Sequence, residues 1–136
     1  MKISAKIDYA CRALLELSLH WPSKGPLSIH AISQKQHIPI KFLVQILLNL
    51  KQFGFVESTR GKKGGYILGK PPGQITLREV VQDFSEHKLN GQKTSNILGS
   101  IWQEAQNQFY AFLEEITFEE IARRQKKIAR VPMYTI

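Results

Sequence analysis

Apolar residues recur at helical spacing in the first third of the chain, alternate through a short middle stretch, and return to helical spacing to the end. Ser4 can cap a helix running to about His20, with Ile7, Cys11, Leu14, Leu15 and Leu17 on one face. Trp21-Pro22 and Gly25-Pro26 end it. A short helix is expected from Ile29 to Gln36, capped by Ser28, with Ala31 and Ile32 turned inward. His37-Ile38-Pro39 is a tight break, and proline suits the first turn of the next helix, where its missing N–H has no partner to lose. That third helix, about Ile40 to Phe53, carries the apolar stripe Phe42, Leu43, Ile46, Leu47 and Leu50. Lys41, Gln45, Asn49 and Gln52 form its other face, and Gly54 follows as a C-terminal cap.

The period then changes. Phe55, Val56 and Thr59, and after them Tyr66 and Ile67, are strand formers on either side of Arg60-Gly-Lys-Lys-Gly-Gly65. Gly61, Gly64 and Gly65 free the backbone to turn, so the stretch from Phe55 to Leu68 reads as a hairpin. Pro71-Pro72-Gly73 is a break, and Thr76-Leu-Arg-Glu79 is a capping box opening a helix from Leu77 to Phe84. His87 to Ser95 is polar and reads as a loop. Leu98, Trp102, Ala105, Phe109, Phe112 and Ile116 then step alternately by four and three residues, an a/d seam that in a chain this small is either core or a dimer interface. Thr117-Phe-Glu-Glu120 is a second capping box, so a further short helix follows the interruption, and Arg123 to Arg130 is a basic tail.

Charge sharpens this layout. Residues 1–70 hold eleven Lys/Arg against three acids, an excess of +8; residues 71–136 hold eight of each. All of the excess therefore lies in the half that contains the hairpin, where it attracts phosphate backbones or anionic lipid. No apolar run approaches the roughly 20 residues of a membrane span, and the first residues lack the apolar core of a signal peptide. A lone cysteine, Cys11, rules out an internal disulfide framework and fits a reducing cytoplasm. Enzyme chemistry has no residues behind it. Gly61 to Gly65 lacks the pattern of a P-loop. His20, His30, His37 and His87 lack metal-ligand spacing, and Glu114, Glu115, Glu119 and Glu120 read as an exposed helical face.

The expected fold is mainly α with a small β-hairpin wing: a winged helix-turn-helix domain over 1–84, a loop over 85–96, and a dimerisation helix with a helical tail over 97–136. In such a layout the third helix enters the major groove, so Pro39, Ile40, Lys41, Val44 and Gln45 are the candidate base-edge and groove residues. Ser58, Arg60, Gly61, Lys62, Lys63, Gly64, Gly65 and Tyr66 are the candidate wing residues. Arg60 is placed to enter a minor groove and Lys62 and Lys63 to hold phosphates. The alternative is a winged-helix module whose basic half meets an acidic protein partner.

Several stretches together resemble the Rrf-type family of bacterial winged helix-turn-helix transcription regulators, the family of IscR and CymR. They are Tyr9 to Leu17 (YACRALLEL), Ile32 to Pro39 (ISQKQHIP), Phe42 to Leu47 (FLVQIL), Gly54 to Tyr66 (GFVESTRGKKGGY), Ile75 to Val81 (ITLREVV) and Phe112 to Ile121 (FLEEITFEEI). The wing pattern S-x-R-G-x-x-G-G-Y is the most specific of these. The resemblance implies a homodimeric regulator, a repressor in some members, that binds double-stranded DNA, with the long C-terminal helices crossing between protomers.

Two departures from the family pattern change what is expected. Cluster-binding members carry three cysteines and a nearby histidine before the long helix, whereas Glu86 to Trp102 here has no cysteine, and Gly99 stands at the position matching the histidine. Iron–sulfur clusters need thiolate or, less often, imidazole ligands, so no cofactor and no metal site are expected. The acidic residue that often precedes the recognition-helix glutamine is Val44 here, which implies a different base preference, since an apolar side chain can contact a thymine methyl. A small-molecule or protein effector is left open, as is a redox role for Cys11.

Overall fold

Hydroxyl caps start four helices. In the computed structural model, which describes residues 3–22, 25–60, 64–85 and 96–130, Ser4 and Ser28 Oγ accept from the amides of Ile7 and Ala31 at 3.2 and 3.1 Å. Thr76 and Thr117 Oγ1 do the same for Glu79 and Glu120, each at 3.2 Å. Such caps satisfy amides that have no partner within the helix. The elements are α1 (Ala5–Leu19), α2 (Ile29–Gln36), α3 (Ile40–Gln52), β1 (Val56–Thr59), β2 (Gly65–Leu68), α4 (Leu77–Phe84), α5 (Ile97–Glu114) and α6 (Phe118–Arg130), with a 3-10 turn at Pro72–Gln74 before α4.

The turn between α2 and α3 aims the third helix. His37 takes the left-handed conformation (φ 54) that ends α2. Ser33 then holds Ile38 twice: its carbonyl accepts the Ile38 amide at 3.1 Å, and its hydroxyl donates to the Ile38 carbonyl at 2.6 Å. Ile38 is buried, and Pro39 leads directly into α3. α1 braces the same corner from below. Arg12 Nη1 donates to the Gln36 carbonyl at 3.1 Å, and the buried Glu16 carboxylate accepts from Gln36 Nε2 at 2.7 Å. Gly54, at φ +84, closes α3 one residue beyond the Phe53 cap, a conformation that suits glycine.

β1 and β2 pair antiparallel, Val56 with Leu68 through Thr59 with Gly65. Two further backbone pairings escape the hydrophobic pattern. Leu27 and Tyr66 exchange both hydrogen bonds, at 3.0 and 2.8 Å, which ties the segment before α2 to the hairpin. A side chain at position 65 would collide with the Leu27 carbonyl, so this close approach requires Gly65. Thr76 and Thr117 also bridge, with Leu77 N donating to Ile116 O at 2.8 Å and Phe118 N to Ile75 O at 3.0 Å. That bridge seats Phe118 in the core formed by α1, α3 and α4.

The structure corrects several face and boundary expectations. In α1, Ala10 and Ala13 hold core positions, while Cys11 and Leu15 are only partly buried, because close helix approach favours the small residues. Phe42 is 48% exposed and stacks on Tyr9, with ring centroids 6.3 Å apart, instead of joining the buried side of α3. The a/d seam divides. Phe109 packs on the core and Ala105 is half-buried, but Leu98, Trp102 and Phe112 are exposed. Ile116 lies beyond the helix end, in the crossing to α6, so the seam is interrupted there. The basic tail continues α6 as helix, with Glu120 gripping Arg123 and Arg124. α1 and α3 each end slightly short of the expected boundary, at Leu19 and Gln52.

Ile38→Ala should cost about 2–5 kcal/mol, the range for truncating a buried aliphatic residue. Phe42→Ala should cost only about 0.5–1.5 kcal/mol, the value of an aromatic pair. Urea unfolding of the two variants measures the contrast, and equal losses would contradict the face assignment of α3.

Candidate nucleic-acid interface

α2, the Ser33–Ile38 turn, α3 and the β1–β2 hairpin form a winged helix-turn-helix. Pro39 is the N-cap of α3 and is exposed, and Ile40, Lys41, Val44 and Gln45 are exposed along its first two turns. The N-terminal half of the helix is thus open. It has no acid in its first turn, and its buried side chains, Leu43, Ile46, Leu47 and Leu50, face the core. Lys41 Nζ lies 5.3 Å from the centre of the Phe42 ring, a contact that leaves its charge available. Gln45 Nε2 donates to Asn49 Oδ1 at 3.4 Å, a long and exposed bond that a stronger partner would replace.

The wing is joined to the far end of α3. Lys51 Nζ donates to Ser58 Oγ at 2.9 Å, so Ser58, expected as a wing contact, spans helix and strand. At the hairpin root, Thr59 Oγ1 accepts from Gly65 N at 3.0 Å and donates to Gly65 O at 3.3 Å. Arg60 follows this closure and is exposed. Gly64 is partly buried. Tyr66 packs partly buried against the core, held by its backbone bonds to Leu27. Gly61, Lys62 and Lys63 lie outside the described residues.

Electrostatics separates the cations of this half into two sets. Arg12 pairs with Asp8 at 2.7 Å, Lys70 lies 3.5 Å from Glu79, and Lys35 reaches toward Glu16 at 3.9 Å. Lys6, Lys41, Lys51 and Arg60 have no carboxylate partner among the described residues, and Lys6 lies 5.9 Å from the centre of the Phe84 ring. Apart from Lys6 on α1, the unneutralised cations among the described residues of this half fall on α3 and the wing, where a polyanion would be met.

The histidines and the one cysteine among the described residues stand apart from one another. The described residues contain no cluster of three or more His, Cys, Asp or Glu. Cys11 is half-buried in α1, and burial, helped by the nearby Asp8 charge, pushes its thiol up from 9.0 to about 12. His20 and His37 end helices, His20 with Nδ1 3.0 Å from the Glu16 carbonyl. His30 is exposed, and His87 lies outside the described residues. Among those residues, no helix is long and apolar enough to cross a membrane.

Sequence reading missed the braces behind this surface. Glu16 was unmarked because a lone glutamate among helical leucines looks like a solvated residue, yet it is buried against Gln36, His20 and Lys35. Leu27 was missed because a single bridging residue has no periodicity.

Comparison with known proteins agrees with this geometry. Residues 3–124 match the model of the Rrf2 family, described as iron-dependent transcriptional regulators. The HTH-type transcriptional regulator IscR of Cronobacter sakazakii is 33% identical over 135 residues, covering 93% of this chain and 83% of that protein. A putative HTH-type transcriptional regulator of Haemophilus influenzae is 31% identical over 134 residues, covering 92% and 89%. Among solved structures, T. potens IscR aligns with a TM-score of 0.85 at 25% identity, over 98% of this chain and 95% of that one. CymR, the global cysteine regulator of B. subtilis, aligns with a TM-score of 0.77 at 26% identity, over 91% and 98%. This chain belongs to the Rrf2 family, and it is a DNA-binding transcription regulator, not an enzyme.

Proposed function

We propose that the protein acts in the cytoplasm as a homodimer that binds a pseudo-palindromic operator without an iron–sulfur cluster. The observation that carries this reading is the open N-terminal half of α3 beside a wing, with the unpaired cations Lys41, Lys51 and Arg60 on the two. α3 enters the major groove, where Gln45 pairs with adenine and Lys41 reaches guanine or phosphate. Arg60 enters the adjacent minor groove, and Lys62 and Lys63 hold phosphates.

The dimer reading rests on α5. Ile97 is 72% exposed, Trp102 62% and Phe112 63%, with Leu98 and Ile101 also exposed, and apolar exposure of this extent along one helix marks an interface. Two copies joined there would present two α3 helices to half-sites about one helical turn, or a multiple of it, apart.

The absence of a cluster rests on the ligand chemistry. The only thiol in the chain is Cys11, which is held protonated inside α1, and Glu86 to Trp102 supplies no cysteine. A thiolate ligand set cannot be assembled from these residues, so whatever effector acts, a small molecule or a protein, acts through other chemistry.

Duplexes selected by the protein from a genomic library provide the test. Arg60→Ala should weaken the selected duplex by about 1–3 kcal/mol and relax its sequence preference. Lys63→Ala should weaken all duplexes alike and lower the salt slope by about 1. Failure to prefer any fragment over random DNA, or absence of binding even at low salt, would overturn the operator reading in favour of a protein partner.

Light scattering should report a dimer at micromolar concentration, and Trp102→Glu should convert it to a monomer. Protein prepared anaerobically should be colourless, and stoichiometric iron and sulfide would contradict the cluster-free assignment. Cys11 should resist alkylation at pH 8 in the native protein, because a rise from 9.0 to about 12 leaves about a thousandfold less thiolate. Ionisation of the unfolded thiol favours unfolding. The contribution of Cys11 to stability is thus intact below pH 9.0 and declines as pH rises toward about 12, as denaturant titrations should show.

A further inference from the structure

α3 carries two aliphatic side chains that its packing does not use. At about 100° of rotation per residue, Leu43, Ile46, Leu47 and Leu50 fall on one side, and all four are buried. Lys41, Val44, Gln45 and Leu48 fall toward the opposite side. Val44 is 53% exposed and Leu48 is 48% exposed, and neither belongs to the core cluster. One turn apart, they are surface neighbours with Cβ atoms about 5–6 Å from each other. Unlike Phe42, which rests on Tyr9, they form a small apolar strip with nothing over it among the described residues.

The surroundings of the strip indicate what covers it. Lys41 lies toward its N-terminal end and Lys51 toward its C-terminal end, and neither has a carboxylate partner among the described residues. Gln45 lies alongside and is held only by a 3.4 Å bond to Asn49. A ligand complementary to this face is anionic at its rim and apolar at its centre. A DNA major groove has this arrangement: phosphates line its edges, and the thymine 5-methyl is the apolar group on its floor. The spacing agrees. Lys41, Val44, Gln45 and Leu48 stand at i, i+3, i+4 and i+7, the positions from which one face of a groove-bound helix reaches successive base edges.

We infer that Val44 and Leu48 together read thymine methyl groups in each half-site, which makes Leu48 a specificity-determining residue. This rests on the operator reading above and adds a chemical preference to it. Polar readout by Lys41 and Gln45 is combined with a methyl-sensitive strip one turn long.

Deoxyuridine tests it directly, because uracil keeps the hydrogen-bonding edge of thymine and lacks only the methyl group. In a duplex selected by the wild-type protein, each half-site thymine is replaced singly by deoxyuridine and affinity is measured by fluorescence anisotropy. One or two positions should weaken about fourfold, the value of burying one methylene-sized group. Val44→Ala and Leu48→Ala should each remove that penalty at one position, so that the thymine and deoxyuridine duplexes bind alike there. Both residues are exposed, so circular dichroism and thermal melting should show both variants folded. Selected duplexes indifferent to deoxyuridine at every thymine would overturn this inference and leave the operator reading intact. So would a penalty that persists unchanged in both variants. If Leu48→Ala alters the oligomeric state but not methyl sensitivity, the strip belongs to a protein contact and the inference fails. Selection of no duplex at all would overturn both readings together.

Discussion

The doubled bond between Ser33 and Ile38 is the constraint on which the DNA-facing geometry depends. A turn joining two short helices can leave at many angles. Here the left-handed His37 sets the departure, Ser33 holds both the amide and the carbonyl of Ile38, and the Ile38 side chain is pressed into the core. Pro39 then starts α3 with its φ already fixed. The clamp from α1 matters equally, because Arg12 and Glu16 grip Gln36 by its carbonyl and its amide group. A buried carboxylate is expensive unless it is hydrogen-bonded. Glu16 meets that condition only while α2 stays docked, so the same residue that would otherwise destabilise the fold keeps the turn in place.

Once aimed, α3 works as a two-sided helix, and α5 repeats the arrangement at larger scale. In α3 the four buried residues lie on one side and the polar and aliphatic readers on the other. In α5 the division runs along the axis: Phe109 and Leu113 anchor the C-terminal end to the core, while the apolar residues at the N-terminal end stand clear of it. The Thr76–Thr117 bridge closes the anchored end, so α5 projects from a root stitched to the start of α4. Arg78 adds an ion pair to Glu114 at 3.5 Å across the same root. An interface built on the free end of α5 would therefore be held in fixed relation to the winged-helix core.

How much of this could be read from the sequence follows from which forces are local. Caps, breaks and helix periods act within a few residues, so α2 and α4 were placed to the residue, and the hairpin followed from glycines and a change of period. Face assignment was less dependable, because hydropathy cannot tell an apolar residue facing the core from one facing a partner. Phe42 read as part of the buried stripe of α3 and is exposed, whereas the α5 seam, read as core or dimer interface, has Phe109 on the core and Leu98, Trp102 and Phe112 exposed. The Leu27–Tyr66 and Thr76–Thr117 bridges join single residues far apart in the chain and leave no local trace. At the candidate site, the spacing of Lys41, Val44 and Gln45 was legible. Leu48 was not, because a leucine between Leu47 and Asn49 reads as one more core residue until the rotation of the helix is known.

The family is described as iron-dependent, and the residues of this chain do not supply what that dependence requires of a thiolate cluster. Cys11, the one thiol of the chain, is half-buried in α1 with its pKa pushed up to about 12, and α1 also carries the Arg12 and Glu16 clamp. A thiol so reluctant to ionise is a poor nucleophile, which argues against Cys11 as the regulatory group even without a cluster. The features left available are the open apolar end of α5 and the polar stretch that precedes it. On the proposed reading, a contact at that end of the molecule would alter dimer geometry while leaving the turn between α2 and α3 intact.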